Sequence, residues 1–136
     1  MATIHTTYTD TLRTEATHLQ SGNKLLTDAP TDNKGKGEAF SPTDLLATAV
    51  GSCMLTIMGI AAQNGGFSID GTTLETTKVM KASPRRVGEI ICLFTFPKQA
   101  YSERQITLLK RAADTCPVAK SLHPDIQLTL TFKFNA

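Results

Sequence analysis

The sequence predicts an α+β fold in which a sheet wraps around one long central helix. Three observations carry this. An uncharged stretch from Leu45 to Ala62 follows a strong helix start. The closing segment "DIQLTLTFKF" keeps Ile126, Leu128, Leu130, Phe132 and Phe134 on one parity, as a half-buried strand does. The segments run strands, long helix, two strands, helix, short helix, strand, and nothing repeats.

The N-terminal "IHTTYTDTLRTEATH" is rich in threonine and branched or aromatic residues and reads as one strand, or as two in a hairpin turning near Asp10. "GNKLLTD" is a third short strand. "APTDNKGKGEAF" carries the Pro, Gly, Asp and Lys of an exposed loop. Ser41 is a good N-cap, and Pro42 suits the first helical position, where its missing N–H is no loss. Asp44 lies three residues past the cap, placed to accept from the cap N–H at the positive helix end. This helix should run to Gln63, where "NGG" stops it. Two strands follow around "ASPRR", the second mostly buried. Ser102 caps an amphipathic helix with an Ile106, Leu109 and Ala113 stripe. Cys116 and Pro117 then open a short turn or helix.

At 136 residues the chain fits one domain. Its formal charge of +2 is too close to neutral to argue for nucleic acid or an anionic membrane as partner. No tryptophan is present to build a base-stacking platform. The N-terminus lacks a basic stretch before an apolar run, so no secretory signal is read there and the cytoplasm is expected. The Leu45 to Ala62 stretch is at the short end for a membrane span and lacks basic flanks, so it is taken as a buried soluble helix. His5, His18 and His123 are scattered, and no metal motif, phosphate loop or dinucleotide fingerprint occurs. Neither a metal nor a cofactor is expected.

The three cysteines, Cys53, Cys92 and Cys116, are an odd number in a chain expected to stay reduced, which disfavours a disulfide scaffold. Cys53 is either a small core hydrophobe or a working thiol. Cys116 is either a cap residue that happens to be cysteine or a thiol activated by the free N–H groups of a helix start, with Lys120 adding to the field. Cys92, between Ile91 and Leu93 in a strand, reads as an inert core residue.

Two segments resemble one family. "SPTDLLATAVGSC" is similar to the helix start and first-cysteine motif of the OsmC/Ohr peroxide-stress proteins, and "CPVAKSLHPDIQLTL" to their second-cysteine motif and final strand. The 63-residue separation and the order of segments over nearly the whole chain suit that family. The resemblance implies a fold of curved antiparallel sheets around a long central helix, in an intertwined homodimer with sites at its interface. It implies organic hydroperoxide substrates, a dithiol or lipoyl-type reductant, and a Cys53–Cys116 pair in which Cys53 attacks and Cys116 resolves. It also implies an arginine from the N-terminal strands beside the attacking thiolate, lowering its pKa; Arg13 matches. Family peroxidases often carry "NPE" at the helix start, and here Thr43 stands in the glutamate's place with Asp44 after it. Asp44 or Glu38 is then expected to orient Arg13. "SPTD" is closer to the less characterised OsmC-like branch, whose alternative role is non-peroxidatic small-molecule binding or thiol exchange. A plain α+β dimer with incidental cysteines is the remaining class.

Overall fold

A computed structural model describes residues 1–134 as an α+β chain with two three-stranded sheets and one long helix. It divides into two compact units, Met1–Leu46 and the remainder from Ala47 onward.

The first unit is an antiparallel meander of β1 (Ile4–Asp10), β2 (Arg13–His18) and β3 (Lys24–Asp28). Thr11 and Leu12 make the β1–β2 turn, both at positive φ. Such a two-residue turn matches the right-handed twist of the strands it joins. The register sets Arg13 opposite Asp10 on one side and Asp28 on the other. After β3 the chain forms a 3-10 turn at Thr31–Asn33 and returns at Phe40, which bridges Thr27. The exposed-loop expectation for this stretch therefore holds with one short turn of helix inside it.

Helix α1 runs Pro42–Asn64, within one residue of the predicted span. Asp44 Oδ2 accepts from the Ser41 N–H at 3.0 Å, and Ser41 Oγ accepts from the Asp44 N–H at 3.0 Å. Both halves of the predicted cap are thus present. By length and composition α1 could cross a membrane; Val50, Met54, Met58 and Ala62 along it are buried.

In the second unit β4 (Thr73–Lys81) pairs antiparallel with β5 (Arg86–Phe96). β5 pairs parallel with β6 (Gln127–Phe134), so this sheet is mixed, not wholly antiparallel as expected. The connection from β5 to β6 passes through α2 (Glu103–Ala113) and α3 (Pro117–Lys120), and a helical crossover is what returns a strand in the same direction. α2 carries a full capping box between Ser102 and Gln105. The core joins Val50, Met54 and Met58 of α1 to Ile90, Cys92, Phe94 and Phe96 of β5 and Leu109 and Ala113 of α2. β6 keeps the predicted parity, with Leu128, Leu130, Phe132 and Phe134 on its sheltered face.

Candidate functional site

The sequence-predicted residues fall into two clusters, one in each unit. In the second unit, Cys53 sits in the middle of α1 and is partly exposed, and Cys116 is the fully buried N-cap of α3. Both are free thiols, and Cys53 lies near enough to Cys116 to affect its thiol. Cys116 Sγ accepts from the Ala119 N–H at 3.3 Å and lies 3.9 Å from the Val50 carbonyl, one turn before Cys53. The expected helix-start contact at Cys116 is therefore present, but it does not make Cys116 the acidic thiol. Burial pushes the Cys116 thiol up, the Ala119 N–H opposes this, and the neighbouring Cys53 adds to the rise. Burial, the largest of these effects, therefore keeps Cys116 in its neutral form.

Cys92 has no exposed surface, and burial raises its thiol too, against a hydrogen bond with Thr76. That is the environment of an unreactive thiol.

In the first unit Arg13 and Asp28 form a two-pronged ion pair. Arg13 Nε donates to Asp28 Oδ1 at 2.7 Å, and Nη2 donates to Oδ2 at 2.9 Å. The Glu38 N–H also donates to Oδ2, at 3.1 Å, and the Glu38 carboxylate lies 3.6 Å from Arg13 Nη2. Of the two acids expected to orient Arg13, Glu38 is a second partner at longer range, and Asp44 accepts at its own helix cap. The principal partner, Asp28, escaped the sequence reading. Its signal was present but weak, a carboxylate ending a short strand that pairs with the strand Arg13 begins.

Asp28 is 1% exposed yet ionised. The Arg13 hydrogen bonds hold its carboxyl below the ordinary range, against the opposing effect of burial. A depressed carboxyl contributes stability that is complete above the unfolded value, about pH 4, and is lost as pH falls through the folded value. Unfolding midpoints in urea are therefore expected to drop steeply below about pH 4. Asp28→Asn should flatten that acid limb, and an unchanged limb would remove Asp28 as its source.

Among the described residues no group of three His, Cys, Asp or Glu side chains could hold a metal ion. In the second unit the candidate residues are a partly exposed helix cysteine and a buried cap cysteine whose thiol the first helps to raise. The chain belongs to the OsmC-like protein family, whose model matches residues 35–131. It is 55% identical to a protein provisionally described as an osmotic stress induced and detoxification response protein from Psychrobacter arcticus 273-4. That likeness covers 97% of this chain and 96% of the other, with a TM-score of 0.93. An OsmC-like protein from Mycoplasma pneumoniae shares the fold at 15% identity and a TM-score of 0.81, covering 98% and 96% of the two chains. An organic hydroperoxide resistance protein OsmC from Legionella pneumophila does so at 15% identity and a TM-score of 0.76, covering 98% of each. No curated protein matches the chain.

Proposed function

We propose that this protein reduces organic hydroperoxides with its own thiols. The single observation that supports the reading is a partly exposed Cys53 near a fully buried Cys116 whose thiol is raised. An attacking thiol needs access, and a resolving thiol needs only to reach the first. The Cys53 thiolate attacks one peroxide oxygen, the O–O bond breaks, and the leaving alkoxide takes a proton and departs as the alcohol. Cys53 is left as a sulfenic acid. Cys116 attacks that sulfur, water leaves, and a Cys53–Cys116 disulfide forms. A dithiol or protein-bound lipoyl group reduces it by exchange and becomes a disulfide itself. The resemblance gives Arg13 the task of supplying positive charge to the attacking thiolate.

The working form is a homodimer in this reading. β1 is exposed along its whole length, with Ile4 and Tyr8 57% and 62% accessible. On α1, Ile60 is 53% accessible, and a Cβ added at neighbouring Gly59 would meet nothing within 4 Å. A mid-helix glycine costs about 1 kcal/mol against alanine, a cost offset when another surface packs there. A second copy covering these surfaces should bury more than roughly 2,000 Å² in total. Sedimentation at low micromolar concentration is expected to show only dimer, and a stable folded monomer would count against it.

The reaction is tested by one equivalent of cumene hydroperoxide followed by mass analysis. Two thiols per chain should disappear, with Cys53 and Cys116 recovered as a linked pair. A chain that keeps all its thiols would pass the site to the small-molecule-binding reading.

A further inference from the structure

The way Arg13 is held assigns a role to a residue that the helix-start motif does not contain. Arg13 opens β2 and Asp28 closes β3, directly opposite in register. Asp28 grips the Nε–Nη2 edge of the guanidinium through both oxygens. The planar fork of arginine matches a carboxylate in this way, and the match fixes orientation as well as distance. Glu38 approaches the same Nη2. Nη1 makes no hydrogen bond among the described residues, and the Arg13 side chain is 25% exposed. The charged groups acting on Arg13 are Asp28, Glu38 and Asp10, and Lys36 acts on Asp28.

We propose that Asp28 is the positioning residue for Arg13, holding its Nε–Nη2 edge so that Nη1 is the donor presented to an anionic reactant. The inference rests on the reading of Arg13 as the cation that serves Cys53. Asp28 takes over the task that the resemblance places at the helix start, where Thr43 stands. Glu38 donates its backbone N–H to Asp28, which ties the loop before α1 to the same pair.

A purely through-space effect and a positioning effect have opposite signs. If Asp28 only offset the charge of Arg13, removing its charge would favour the Cys53 thiolate. If Asp28 positions Arg13, removing it disfavours the thiolate. The readout is the pH profile of Cys53 alkylation by iodoacetamide, followed by mass spectrometry of the Cys53 peptide in the full chain. It needs no peroxidase activity. Asp28→Asn is expected to move the profile up by about one pH unit, in the same direction as Arg13→Gln. The double variant should match Arg13→Gln alone. A profile that stays in place or moves down in Asp28→Asn, while Arg13→Gln moves it up, overturns the role of Asp28 and leaves Arg13 standing. A profile unmoved by Arg13→Gln overturns both. Alkylation shifts as expected without any disulfide formation by hydroperoxide would sink the peroxidase reading alone. Should Asp28→Asn not fold, Asp28→Glu keeps the carboxylate and should retain most of the wild-type profile. A shift in that variant as large as in Arg13→Gln also overturns the proposal.

Discussion

Replacing Cys53 with serine is expected to abolish reduction of cumene hydroperoxide, by three orders of magnitude or more, on the scale of removing a nucleophile from other enzymes. A serine hydroxyl in the same place lacks both the acidity and the polarisable sulfur that attack a peroxide oxygen. Cys116→Ser should behave differently. Its Cys53 still reacts once per chain, then stops as sulfenic acid and oxidises further under excess peroxide. Stopped-flow consumption with mass analysis separates the two. Cys92→Ala should keep turnover, because Cys92 is buried in β5, where no peroxide reaches it. Cys53→Ser consuming peroxide at the wild-type rate would show that the attacking thiol lies elsewhere.

The second large effect is on stability. Phe96 has no exposed surface and stacks on Phe134 at 4.3 Å between ring centroids, with Tyr101 edge-on at 6.0 Å. It also lies 6.5 Å from Phe132, so its ring borders two side chains of the parallel neighbour strand and one at the entry to α2. Phe96→Ala should cost about 3–5 kcal/mol, since the lost apolar burial is joined by a cavity that three other rings cannot fully fill. That is a large fraction of the 5–15 kcal/mol typical of a folded protein. Tyr101→Phe is the contrasting variant. The Tyr101 hydroxyl is buried with no hydrogen-bond partner among the described residues. Removing it should leave stability unchanged or raise it by up to about 1 kcal/mol. Urea unfolding reads both, and equal losses would show that ring packing does not dominate here.

The capping of α1 and α2 was legible because a cap is local. Ser41 with Asp44, and Ser102 with Gln105, need only the three-residue spacing of their own turn. The buried face of β6 was legible for the same kind of reason, since side chains alternate along any strand whatever it pairs with. The direction of β6 was not. Its apolar alternation is identical in a parallel and an antiparallel sheet, and the pairing of Cys92 with Leu130 follows from where α2 and α3 return the chain.

By itself the sequence determined the α+β order, the helix ends, the two cysteine-bearing segments and the resemblance they carry. These rest on spacings within a turn or a strand. Only the tertiary structure decided that Cys53 and Cys116 come near each other, that burial outweighs the helix-start N–H at Cys116, and that Asp28 is the principal partner of Arg13. Each of these depends on separations of 63 or 15 residues being closed by packing and register. Desolvation and ion pairing are set by what surrounds a group in space, and a linear neighbourhood does not contain that information.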